Sequence, residues 1–149
     1  MEKLRIDSGV KKIEVNDAGE CISIPINDSM FYERFSGFLN WLDRKHEEYR
    51  KRSEETAENG SESTKKGSVD IREVVSEQTK LSKEICVELD KLFGEGCCRK
   101  VFVDTEVPTL DLIDDFLEQI TPLLEKFAKE RNEKINLKYS RRRKGANSK

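Results

Sequence analysis

The chain opens with two short stretches in which polar and apolar residues alternate, Lys12-Ile13-Glu14-Val15 and Glu20-Cys21-Ile22-Ser23-Ile24-Pro25-Ile26, separated by the turn-forming run Asn16-Asp17-Ala18-Gly19. Alternation with a period of two sends successive side chains to opposite faces of an extended strand, so this pattern predicts a β-hairpin over about residues 10–26. A two-stranded ribbon is marginal alone in water. It needs helices to lean on, or the edge of another copy to pair with.

After Pro25 the period lengthens. Asn27-Asp28-Ser29 supplies side-chain oxygens suited to a helix N-terminus, and Phe31, Phe35, Phe38, Leu42 and Tyr49 then recur at spacings of three, four or seven. Met30, Leu39 and Trp41 widen that stripe, which marks a first long helix. Residues 43–52 interleave opposite charges and read as solvated helix surface. Residues 53–68 hold no large apolar side chain and predict a flexible loop between two helices of one domain. A second helix, capped by Ser68 or Asp70, carries Ile71, Val74, Val75, Leu81, Ile85, Leu89 and Leu92, and stops at Phe93-Gly94-Glu95-Gly96. In the connector 97–107, Val101-Phe102-Val103 reads as a brief extended segment. Pro108 suits the first turn of a third helix, whose face is Leu110, Ile113, Leu117, Ile120, Leu124 and Phe127. Pro122 inside that run predicts a kink or break near residues 119–122.

These elements predict a mainly α fold: three long helices, the third kinked near Pro122, a small N-terminal hairpin and a basic flexible C-terminal tail. The domain reading is one helical unit over 1–138 with the 53–68 loop inside it, followed by a disordered basic tail over 139–149.

Composition narrows the core. With 39% charged and 35% hydrophobic residues in 149, the apolar interior is thin and an elongated helical protein fits better than a compact globule. No apolar run reaches about eighteen residues and the N-terminus lacks a secretory stretch, so a soluble, cytosolic chain without a membrane role is expected. Charge is strongly polarised. Residues 131–149 hold eight Lys or Arg against the single acid Glu133, a net +7; with −2 for the whole chain, residues 1–130 carry −9. An acidic body with a basic arm favours contact between copies or with an oppositely charged partner.

Candidate chemistry is sparse. His46, the single histidine, sits among Arg44, Lys45, Glu47 and Glu48 and reads as a surface residue, because a general base needs burial or a fixed partner to tune it. The acids Asp111, Asp114, Asp115 and Glu118 lie in the first turns of a helix, where the macrodipole favours them without a metal. Cys21, Cys86, Cys97 and Cys98 form no Cys-x-x-Cys pair and read as reduced thiols; a zinc or redox centre on the last three lacks a fourth ligand at finger spacing. Gly94-Glu95-Gly96 lacks the lysine and serine or threonine of a phosphate-binding loop. No catalytic residue, metal or cofactor is assigned. Arg141, Arg142, Arg143 and Lys144 form an electrostatic arm suited to acidic protein surface; for nucleic acid the arm has only Tyr139 to stack on a base, which leaves a nucleic-acid-binding or regulatory role as the alternative.

Three groups of residues carry a resemblance. They are Glu14 to Glu20 followed by Ile22-Ser23-Ile24-Pro25; Phe93-Gly94-Glu95-Gly96 with Lys100-Val101-Phe102; and Phe116 to Pro122 running through Lys126, Glu130 to Ile135 and Tyr139 to Ala146. Their order and spacing resemble the tail assembly chaperones of long-tailed phages and prophages of Gram-positive bacteria. The resemblance implies a non-enzymatic protein that binds the tape measure protein, helps recruit the major tail protein, self-associates, and works in the host bacterial cytoplasm. It further implies that the faces Phe31, Phe35, Phe38, Leu42 and Leu117, Ile120, Leu124, Phe127 divide between self-packing and client contact.

Overall fold

The computed structural model describes residues 1–63 and 71–147, with side chains over 1–55 and 71–142. The fold is mainly helical: β1 (Lys11–Glu14), β2 (Cys21–Ile24), α1 (Ser29–Ser63), α2 (Ile71–Phe93), α3 (Cys97–Val101) and α4 (Leu110–Asn147).

The hairpin forms as its pattern requires. β1 and β2 pair antiparallel, with Ile13 opposite Ile22 and Lys11 opposite Ile24. Asn16 organises the turn: its side-chain oxygen accepts from the N–H groups of Ala18 and Glu20, and its amide donates to the Lys100 carbonyl at 3.0 Å. Gly19 takes the left-handed φ of 81° that the turn needs. The ribbon leans on helices, burying Ile22 and Ile24 in the core.

Asp28 caps α1, accepting from the Met30 N–H at 3.0 Å. Phe31, Phe35, Phe38 and Leu42 face inward, as their spacing demands. The helix then outruns its core. Residues 53–63, expected as part of a loop, continue α1 to Ser63, and residues 64–68 of that loop lie outside the described residues. Lack of apolar side chains rules out burial but not helix, since a helix already nucleated by packing extends at little cost through the helix formers Glu54, Glu55, Ala57 and Glu58.

α2 lies antiparallel to α1. Phe93 at its end meets Phe31 near the start of α1, and Gln78 donates to the Tyr49 hydroxyl at 2.9 Å. Leu81, Ile85, Leu89 and Phe93 are buried, whereas Ile71 and Val75 in the first turns stay exposed. Gly94, at φ 108°, ends the helix. The connector folds differently from its pattern: Cys97–Val101 forms the short helix α3 where an extended segment had been expected at Val101-Phe102-Val103. The reason is tertiary, because Asp90 on α2 accepts from the Cys98 N–H at 3.0 Å and the turn closes with the Phe102 N–H on the Cys98 carbonyl.

α4 begins at Leu110, one residue after Thr109, whose hydroxyl and carbonyl accept from the N–H groups of Leu112 and Ile113. Pro108 therefore precedes the cap instead of opening the helix. Pro122 lies inside α4, so the helix runs through Thr121-Pro122 without starting a new segment. The expected flexible tail 139–149 is helical in backbone as far as Asn147.

The core centres on Phe93. Its ring sits 5.9 Å from Phe31, 6.4 Å from Phe35 and 5.8 Å from Phe116, all in edge-on arrangements, and Phe116 also meets Phe102 at 6.0 Å. Such contacts add to burial because ring edges meet ring faces of opposite quadrupole sign. Among the described residues no helix is long and apolar enough to cross a membrane.

Candidate protein-binding surface

The structure places seven of the eight expected contact residues inside the chain's own core. Phe31, Phe35, Phe38, Leu42, Leu117, Ile120 and Leu124 are each less than 9% exposed, and Phe127 alone is half-buried. The two helix faces named in the sequence thus pack against the rest of this chain. Burial of that degree leaves only a small part of each side chain for a client, as where Ile120 and Phe38 reach the walls of accessible hollows.

Besides a hollow of about 430 Å³ between α1 and α2, beside Phe38, Trp41 and Leu92, accessible surface lies where the hairpin meets α4. A groove of about 400 Å³ runs between them, with Ile13, Val15, Val101, Leu112 and Leu123 along it and Glu14 and Asp115 at its rim. A second hollow of about 540 Å³ lies toward the other end of the hairpin, where Val10, Ile26, Phe127 and Leu137 supply apolar surface and Lys11, Glu130, Arg131 and Lys134 supply charge. Apolar floors with charged rims suit an amphipathic polypeptide, which buries its apolar stripe and keeps its polar side wet.

Arg131 joins this surface to α1. Its guanidinium donates to the Ser29 hydroxyl at 2.9 Å and lies 5.7 Å from the centre of the Tyr32 ring. Tyr32 donates to the Ile26 carbonyl at 2.7 Å; burial pushes its phenol above the ordinary value, with Arg131 pulling the other way. Beyond this point Leu137 and Tyr139 are exposed on α4. Arg141 and Arg142 are exposed on the same helix, while the side chains of Arg143 and Lys144 lie outside the described residues.

The thiols gather apart from these grooves. Cys98 donates to the Cys86 carbonyl, and hydrogen bonding from Cys98 lowers the Cys86 thiol from its ordinary value. Burial raises Cys97 to about 12, and Cys98 is also raised, chiefly by its bond to Cys86. Among the described residues, no group of three or more His, Cys, Asp or Glu is arranged to hold a metal ion. His46 is half-buried on α1.

The sequence did not reveal the grooves, since their walls come from β1, α3 and α4, far apart in the chain. The Arg131 contact was likewise hidden: residues 131 and 29 are 102 positions apart. Only the placement of Phe127 at the edge of an apolar stripe hinted that this end of α4 would stay open.

No curated protein and no solved structure matches the chain. Residues 18–149 match the model of a family of unknown function, DUF6673, and the chain belongs to that family.

Proposed function

We propose that this protein is a non-enzymatic phage tail assembly chaperone, which holds the tape measure protein and helps recruit the major tail protein in the cytoplasm of a bacterial host. One observation carries the reading. The three separated stretches that resemble tail assembly chaperones converge on one groove, which Glu14 and Val15, Val101 and Phe102, and Phe116, Gln119 and Ile120 line together. A client helix with an apolar stripe would lie along it, and the basic end of α4 would meet acidic residues of client or neighbour.

The test is coexpression with the tape measure protein. The wild-type chain should keep that client soluble and co-purify with it after nuclease treatment. Leu123→Asp, which puts a charge into the half-buried groove wall, should lose the client while retaining helical circular dichroism. A tape measure protein that aggregates equally with and without the chain overturns the reading.

The second reading is a nucleic-acid-binding or regulatory role, favoured by the exposed Lys134, Lys138, Arg141 and Arg142 on one helical arm. Nuclease-sensitive capture, with affinity falling steeply in salt, would establish it in place of the first.

A further inference from the structure

The outer edge of β1 is open. Ile13 stands opposite Ile22 and Lys11 opposite Ile24, and the Val15 N–H donates to the Glu20 carbonyl at 2.9 Å. Hydrogen-bonded and non-hydrogen-bonded positions alternate along an antiparallel ladder. Residues 11, 13 and 15 therefore turn their backbone groups toward β2, and those of Lys12 and Glu14 point away from it. Among the described residues the sheet has these two strands only, and the side chains of Lys12 and Glu14 are exposed. Beside this edge runs the groove of about 400 Å³ with Ile13 on its wall and Leu112, 38% exposed, along it. A strand added here would satisfy the edge and cover part of the groove.

The sequence of β1 selects its own copy. Two β1 strands meeting antiparallel must oppose outward-facing positions to each other, so even-numbered residues pair with even-numbered ones. With the two-fold axis at Ile13, Lys12 falls opposite Glu14 of the second copy, Glu14 falls opposite its Lys12, and the two Ile13 side chains meet. Opposite charges facing across strands stabilise such pairs, and the central isoleucines occupy the close, non-hydrogen-bonded position at about 4.5 Å between Cα atoms. They do so on the groove side, since Ile13 shares a face with buried Ile22. Shifting the axis to Lys12 would set two lysines face to face, which the same rule disfavours.

We propose that β1 of one copy pairs antiparallel with β1 of a second copy about Ile13, joining two hairpins into a four-stranded sheet. The pairing stands apart from the chaperone reading, because it rests on the strand's register and charges and requires no client.

Sedimentation equilibrium of the full chain at low salt should show a mass that rises with concentration from 17.3 kDa toward twice that value. Glu14→Lys and Lys12→Glu each replace two attractive pairs by two repulsive ones and should weaken association by about tenfold or more. An equimolar mixture of the two variants restores a Glu–Lys pair at both positions, so dimer should return; this mixture also shows that each variant is folded. Ile13→Cys in a Cys21→Ser background should cross-link across the axis under mild oxidation. A wild-type chain that stays at 17.3 kDa overturns the proposal, as does a dimer indifferent to the single variants or a mixture no tighter than its components.

Discussion

The two halves of α4 share one helix and almost nothing else. Residues 110–127 put Ile113, Phe116, Leu117, Ile120 and Leu124 into the core and carry the acids Asp111, Asp114, Asp115, Glu118 and Glu125. From Asn132 to Arg142 the described side chains are exposed except for half-buried Ile135, and the charge is basic. The first half is helical because packing holds it, and its amides should open only with the whole body. The second half is helical by propensity and by extension from the first, so its amides should exchange at the fast, local end of the range. A single hydrogen-bond ladder thus joins a structural element to an electrostatic arm, with Arg131 as the last firm contact before the arm begins.

The largest expected effect falls in the packed half. Phe116→Ala removes a ring that touches both Phe93 and Phe102 and should cost about 3–5 kcal/mol in chemical denaturation. A loss below about 1 kcal/mol would mean that the two halves differ far less than their burial indicates.

Next comes alkaline pH. The Cys97 thiol is pushed from 9.0 to about 12 by burial, with Asp90 adding to the shift. Below about pH 9 both folded and unfolded chains keep this proton, and the stability it reflects is fully present. Between about 9 and 12 the unfolded chain gives up the proton first, so stability falls as pH rises, by up to about 1.4 kcal/mol per pH unit. Urea midpoints measured across that window should decline in the wild type and flatten in Cys97→Ala, with no matching change in the exchange rates of residues 132–147.

At the junction, Arg131→Ala deletes the bond to Ser29 and the contact with Tyr32. It should destabilise the body by about 1 kcal/mol and move the onset of fast exchange along α4 toward Phe127. Unaltered exchange around residue 131 would place the boundary elsewhere. Smallest of all is the arm itself: Arg141→Ala with Arg142→Ala should change stability by less than about 0.5 kcal/mol, since both side chains are exposed. The same pair should nonetheless reduce the salt dependence of whatever the arm binds, measured by titration at several ionic strengths.

Much of the fold is legible in the chain because each long element announces itself locally. Period-two alternation around Asn16-Asp17-Ala18-Gly19 yields the hairpin, and the spacing of Phe31, Phe35, Phe38 and Leu42 yields the buried stripe of α1. Legibility failed where one local rule met a stronger neighbour. Val101-Phe102-Val103 has strand-forming residues, yet Asp90 reaches across from α2 to cap α3 at Cys98. Residues 53–63 lack apolar side chains, yet α1 runs on through them. An apolar stripe likewise tells that a face will be covered without telling by what, so the division of the two helix faces between self-packing and client contact was not legible in the chain. Seven of the eight residues proposed for contact are buried in the chain's own core.

By itself, then, the sequence determined the periodicities, the caps at Asp28 and Gly94, and the split between an acidic body and a basic arm, since each depends on residues within a few positions of one another. Tertiary structure alone decided that Phe93 would gather Phe31, Phe35 and Phe116, that Arg131 would find Ser29 and Tyr32, and that open grooves would lie between the hairpin and α4. Those outcomes depend on how whole elements cross, and the crossing is chosen by the sum of many burials that no single stretch of chain contains.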